Sequence, residues 1–383
     1  MKTLNIYVTK YFILVLLVSI LVVTFGIMGA HAIKIFEFIA RGIPFVDAML
    51  ALLYYMPFAL SLAIPVGVFV STMLVFGRMS ADNEITAMRA CGISVLQIIS
   101  PLIILTFLLT CFCLLLQLEI GPYFAGKGRN LEKKVVVSNP LSIIEPGQYL
   151  QKTINGEETS LYVGDRVGEE GIKDIQIFQF SNNVNNEKYL KKDITAASGK
   201  ISVDESKQHL IIDLFDASVV EYSEDKKRPR RTFSERFQLA YDYGRAFNEK
   251  KIGKRTKFLQ LDELFGKTIM LKIIQSKLAG EVDKRLLRKI TSLEIELNTR
   301  IAFGLAPIAF LLLGMPLAIR TSRRETSIGL LLGVILAGVY FISIMIFQAF
   351  STYPHLYPQI LLWIPNVIYQ VGGAFFIWKI AKR

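Results

Sequence analysis

Six stretches almost free of charge, residues 11–30, 49–77, 94–118, 301–319, 327–350 and 359–378, decide most of what this chain can become. A helix of about 20 apolar residues crosses the ~30 Å hydrocarbon core of a bilayer, and every one of the six is long enough. Of the 383 residues 52% are hydrophobic and only 20% are charged, too apolar for a soluble protein of this size. The pattern predicts an α-helical membrane protein of six transmembrane helices. A long polar stretch, 121–300, is inserted between the third and fourth. The first run resembles a signal peptide in its flanks, since Lys2 and Lys10 precede it and Ala30-His-Ala32 has the A-x-A form. Its core is about 18 residues, longer than a signal h-region of ~7–15, so it reads as an uncleaved first helix.

Charge gives the orientation. Lys2 and Lys10, then Arg78 and Arg89, then Arg320, Arg323 and Arg324, then Lys379, Lys382 and Arg383 occupy alternate ends of the runs, and so share one side. The positive-inside rule makes that side cytoplasmic, with both termini there and the insert outside. The net charge of +12 is thus a statement about topology. No basic helix or aromatic RNA-binding motif accompanies it, so nucleic acid is not an expected partner.

The sequence carries no motif for covalent chemistry. Cys91, Cys111 and Cys113 lie in or beside apolar runs, and the insert has no cysteine, so no disulfide scaffold is expected. His31, His209 and His355 are far apart and no HExxH occurs, which argues against a metal. Gly266-Lys-Thr268 resembles the end of a P-loop, but position 261 is leucine where the phosphate cradle needs glycine. No ionisable residue sits mid-run, so a proton or ion relay is not expected. Pro57, Pro65, Pro307, Pro316, Pro365, Gly304 and Gly314 read as kinks and close helix contacts.

The insert has two parts. From about 135 to 243 run short alternating segments: 148–151, 161–163, 173–180, 209–215 and 217–222. Asn155-Gly156, Gly164-Asp165, Glu170-Gly171 and Asn182-Asn183 read as turns between them. This predicts an all-β, jelly-roll-like or sandwich domain. In 173–180, Ile175 and Ile177 fall on one face with the stem of Lys173, and Phe178 and Phe180 on the other, so the strand is either buried on both sides or turns one face to a greasy ligand. Lys226-Lys-Arg-Pro-Arg-Arg231 reads as a solvated basic loop. Residues 259–300 carry apolar residues at helical spacing and are expected to pack over the sheet and run into the fourth helix. The expected divisions are 1–120, with a surface helix near 80–92; 121–258; 259–300; and 301–383.

That surface helix is the most informative segment. Between the second and third runs, four or five polar residues would suffice for a reversal, yet 78–94 is helix-capable. Ser80 or Asp82 could cap a helix from about residue 82, and Gly92 could end it. Glu84 in the first turn and Arg89 in the last complement the macrodipole, and Ile85 and Met88 give an apolar face. Two readings are open on this physics: an amphipathic turn on the headgroups, or a coupling helix seated in a cytoplasmic ATPase.

Glu84-Ile-Thr-Ala-Met-Arg-Ala-Cys-Gly-Ile-Ser94 resembles the corresponding segment of the LptF/LptG permease family of the lipopolysaccharide exporter. Glu296-Leu-Asn-Thr-Arg300 with the run after it, and Glu145-Pro-Gly-Gln-Tyr149, resemble the family too, as does the three-helix, β, three-helix layout. The resemblance leans to the LptF side. It implies an inner-membrane transport subunit that is not itself an enzyme. Its expected partners are an LptB-like ATPase dimer, a second LptG-like (or LptF-like) permease, LptC- or LptA-like periplasmic β proteins, and lipopolysaccharide. No cofactor is expected on this chain, ATP and Mg being used by the ATPase. The resemblance implies ATPase coupling through Asp82, Glu84, Ile85, Met88 and Arg89, with Glu84 at the contacting acidic position. It implies that basic residues at the outer end of helix 1, matched loosely by Lys34 and Arg41, hold the lipid's phosphates. Arg300, at a helix end on the same side, is suited to the same charge-assisted contacts. The competing function is a membrane-anchored receptor or scaffold whose outer β domain binds a ligand without transport.

Overall fold

The computed structural model describes residues 2–40, 44–138, 147–154, 157–168, 171–182, 188–204, 209–222, 229–242, 259–277, 284–321 and 326–382. Asn155-Gly156 and Lys226–Arg228 lie outside them. Two compact units emerge: 1–34, 50–128 and 255–383 form one, and 35–49 with 129–254 the other.

The first unit is helical. α1 (Lys2–Ala40) and α2 (Phe45–Ala81) are followed by a short α3 (Glu84–Ala90). α4 (Val95–Leu115) passes through a π turn at Leu116–Ile120 into α5 (Gly121–Ser138). α6 (Leu261–Lys277) and α7 (Lys284–Thr321) come after the sheet, then α8 (Thr326–Ala349), α9 (Pro358–Leu361) and α10 (Ile364–Ala381). Six of the helical stretches are long and apolar enough to cross a membrane, in the places expected. α7 has 38 residues, about 57 Å, twice what a bilayer core needs. Its apolar part begins after Arg300. Within this unit Leu264 and Leu259 cluster with Leu293 of α7.

One core joins α1, α2, α4, α7, α8 and α10. Phe69 stacks on Phe310 with centroids 4.8 Å apart, and Phe310 meets the edge of Tyr340 at 4.9 Å. Gly314 faces Phe69 and Gly304 faces Leu114, the close approach expected of small residues between membrane helices. The fully buried Tyr340 hydroxyl donates towards Ala302 O (2.9 Å) and Asn366 Oδ1 (3.2 Å), and Asn366 Nδ2 donates to the same Ala302 carbonyl (3.0 Å). This triad ties α7, α8 and α10 together. Tyr340→Phe is expected to cost about 1 kcal/mol, read as a lower detergent-denaturation midpoint with the helix content of the native protein unchanged.

The second unit contains one six-stranded antiparallel sheet: β1 (Tyr149–Ile154), β2 (Glu157–Val167), β3 (Gly171–Asn182), β4 (Lys188–Asp204), β5 (His209–Glu221) and β6 (Arg230–Asp242). The all-β insert is present, and among the described residues its strand order is β1-β2-β3-β4-β5-β6, a meander. Successive strands are separated by two to eight residues of sequence, too few for anything but neighbours in the sheet. β4 and β6 were not expected as strands, and the two segments 209–215 and 217–222 are a single strand.

A bend explains that division. Asp174 (φ 51°) and Asp216 (φ 53°) adopt the left-handed conformation. Each stands in a line across the sheet where Gly164, Asp174, Ala197, Asp216 and Glu235 are skipped by the register. The inward set shifts by one residue at that line in the central strands: Ile175 to Ile172, Ala196 to Ile201 past Gly199, Ala217 to Leu214. One apolar face thus continues across the bend. Gly164-Asp165, expected as a turn, lies inside β2, because a Cβ at Gly164 would stand 2.8 Å from the Cβ of Asp174. On the opposite face Tyr149, Tyr162 and Phe178 form a half-exposed aromatic group, with Tyr149 4.9 Å from Tyr162 and 6.4 Å from Phe178. Lys173 is exposed, not a stem on the core face.

Candidate functional site

The reversal between α2 and α4 is built from caps. Asn83, not Ser80 or Asp82, is the N-cap of α3; it is left-handed (φ 57°) and makes no side-chain cap bond. α2 runs on to Ala81, which places Ser80 inside a helix, where its hydroxyl donates to Ile319 O of α7 at 2.9 Å. Asp82 pairs with Arg78 one turn before it (3.5 Å), and Arg78 also donates to the Tyr11 hydroxyl (3.1 Å) with its guanidinium over that ring. α3 ends as expected at Gly92 (φ 79°): Gly92 N–H donates to Arg89 O and Ile93 N–H to Met88 O, the paired bonds of a Schellman cap. Ser94 then opens α4 with a full capping box, its hydroxyl accepting from Gln97 N–H while Gln97 Oε1 accepts from Ser94 N–H.

The seven residues of α3 therefore have fixed ends and a fixed face. Ile85 is 5% exposed within the main core and Met88 packs against it, so these two anchor α3 to its own bundle. Glu84 is half-buried; Asp82, Thr86 and Arg89 are exposed. A concavity of about 760 Å³ opens beside α3, lined by Ser80, Asn83, Ile85, Thr86, Arg89 and Ile319 among others. Asn83, Thr86 and the Ser80–Ile319 bond carry no signal legible from residue type alone. A serine or an asparagine before an apolar run signals only a local cap.

A second cavity, about 440 Å³, lies at the opposite ends of the same helices. Its walls are mostly apolar, from Ile27, Phe58, Leu62, Val66, Phe303, Phe341 and Met345. Its polar wall is internally bonded. Gln117 Nε2 donates to Ser61 Oγ (3.1 Å), which donates to Phe58 O (2.7 Å), and Gln348 Nε2 donates to Thr299 Oγ1 (3.1 Å). The π turn that carries Gln117 is part of this wall, as such turns often are at functional sites. Arg300 also lines the cavity, yet it is 4% exposed: Nε donates to Glu296 Oε1 (3.0 Å) and Nη1 to Leu259 O (2.7 Å). It stands in the wall as an ion-paired group. Lys34 falls within α1, but its side chain, and all of Arg41, lie outside the described residues.

Six membrane-crossing helices, a β sheet inserted between the third and fourth, and a separately capped helix between the second and third define a multi-pass membrane protein of the permease type. Residues 6–379 match the family model described as lipopolysaccharide export system permease LptF/LptG, and the chain belongs to that family, whose model spans LptF and LptG alike. It is accordingly a transport subunit of the inner membrane. No curated protein sequence matches the chain.

Proposed function

We propose that this chain is a permease subunit without ATPase chemistry of its own, which extracts lipopolysaccharide from the inner membrane and passes it through periplasmic β domains towards the outer membrane. In this reading both termini and α3 are cytoplasmic and the β sheet is periplasmic. An LptB-like ATPase dimer uses ATP and Mg and drives α3. A second LptG-like chain, or LptF-like if this one is LptG, completes the membrane part, and LptC- or LptA-like proteins continue the β path.

The observation that carries the proposal is α3. A helix of seven residues outside the apolar runs is held by its own Schellman cap and by Ile85, and it borders an open concavity. A turn lying on headgroups would aim its apolar face outwards. Here Ile85 and Met88 point into the bundle, which leaves Asp82, Glu84, Thr86 and Arg89 for a polar partner and couples any push on α3 directly to α2, α4 and α7. At the far end, the apolar cavity suits acyl chains, each buried methylene contributing ~0.8 kcal/mol. Lys34 and Arg41 are assigned to the phosphates, and Arg300 supports the cavity from within its wall.

The test is capture. With the ATPase co-expressed, photo-crosslinkers at Lys34 and Phe178 are expected to trap lipopolysaccharide only when ATP is supplied. A chain that purifies without any ATPase and forms no adduct at either position would instead be a receptor or scaffold.

A further inference from the structure

α6 is apolar on more sides than its own chain covers. Leu264 and Leu271 face α7, in the cluster with Leu259, Leu293 and Leu297. Away from α7, Phe265, Ile269 and Ile273 recur at four-residue spacing and are 47%, 53% and 49% exposed; Met270 and Ile274 beside them are 62% and 37% exposed. Large apolar side chains clustered at a surface mark a contact with membrane or protein. Five large side chains in this state within 17 residues require a cover.

The position of α6 says which cover. Leu259, two residues before α6, is bonded to Arg300, after which the apolar run of α7 begins. The same level is marked independently by Trp363, whose Nε1 donates to Asn298 Oδ1 at 3.0 Å, and by the exposed Tyr353 and Tyr357 just before it, aromatics of the kind that gather at a membrane–water boundary. Leu264 and Leu271 share a cluster with Leu293 and Leu297 of α7, and Lys272 pairs with Glu294 (2.6 Å). The contacts of α6 from Leu264 to Lys272 thus fall within 293–297 of α7. Leu293 is seven residues from Arg300, about 10 Å along the helix axis, close to the outer edge of the headgroup layer. Lys267 is exposed on the same helix and matches anionic headgroups.

We infer that α6 is an interfacial helix, lying in the plane of the membrane surface opposite the basic loops, with Phe265, Ile269 and Ile273 inserted among lipid acyl chains. It braces α7 where that helix leaves the membrane. The inference needs only that the chain spans a membrane, so it stands or falls separately from the assignment of cargo and partners.

The experiment uses the full chain, in its assembled complex in lipid nanodiscs, with Cys91→Ser and Cys111→Ala removing the exposed thiols. Spin labels are placed at Ile269→Cys, Ile273→Cys and, as a reference, Lys267→Cys. Dissolved oxygen is expected to broaden the labels at 269 and 273 more than a water-soluble nickel chelate does, and the order is expected to reverse at 267. Stronger nickel broadening at 269 would mean water covers the face. Shielding from both reagents would mean that protein covers it. Either result overturns the inference. Independently of any variant, a phospholipid with a diazirine high in its acyl chain is expected to label peptide 261–277 of the native chain, and absence of that label also counts against it.

Discussion

Arg300→Met is expected to lower the stability of the helical unit by about 3–5 kcal/mol, the usual consequence of removing one partner of a buried ion pair. The side chains of Arg300 and Glu296 are 4% and 18% exposed, and the guanidinium also satisfies Leu259 O. Its loss leaves a carboxylate and a carbonyl without their donor in an apolar wall. Arg300→Met/Glu296→Leu is expected to recover most of the loss, because no charge then remains buried. Unfolding midpoints in mixed detergent micelles, compared across the two single variants and the double, measure the coupling. If Arg300 were an open cation for lipid phosphate, Arg300→Met would leave the midpoint alone and Glu296→Leu would rescue nothing.

The spans were legible because a membrane crossing is a one-dimensional signal: about 20 residues without charge, flanked by lysine or arginine. Proximity was not. Nothing in Arg300 as a letter distinguishes a rim cation from one turned inwards to Glu296, since the deciding partner, Leu259, is 41 residues away. The sheet divides in the same way. β3 announced itself through Ile175 and Ile177, but β4 is rich in lysine, and β6 is an arginine-rich strand at the end of the described sheet. The inward residues of β4, Ile194, Ala196 and Ile201, alternate only once the shift at Ala197 is known. Asp216 split one strand into two apparent ones for the same reason. A left-handed residue at a bend carries the turn-like letter but keeps the strand paired on either side. In α3 the end at Gly92 was readable from the glycine, whereas the start was not. Ser80 had the cap letter, yet α2 continued through it because its hydroxyl had a better acceptor in Ile319 O.

Glu84→Lys is expected to abolish co-purification with the ATPase and, with it, ATP-dependent lipopolysaccharide release. Placing a like charge where a complementary one stood costs several kcal/mol across an interface, at least a hundredfold in affinity. Three features of α3 make this a clean test. Its fold does not depend on Glu84, since Ile85, Met88 and the Gly92 cap hold it. The change also sets a positive charge at the positive end of the short dipole, but that effect is worth only about 0.3–1 kcal/mol and is shared in smaller part by Glu84→Gln. Arg89, in the last turn of the same helix, supplies the converse probe. If the partner's groove reads charge, Glu84→Gln should weaken binding moderately, Glu84→Lys severely, and both losses relative to the native chain should deepen with lower salt, as the native attraction and the new Lys repulsion go unscreened. If α3 only rests on headgroups, Glu84→Lys should bind anionic lipid at least as well as the native chain and leave the ATPase bound. Equal ATPase recovery with native, Gln and Lys chains, at matched expression and unchanged unfolding midpoint, would remove α3 from the coupling path and shift attention to Ser80–Ile319, the other point where the ends of α2 and α7 are joined.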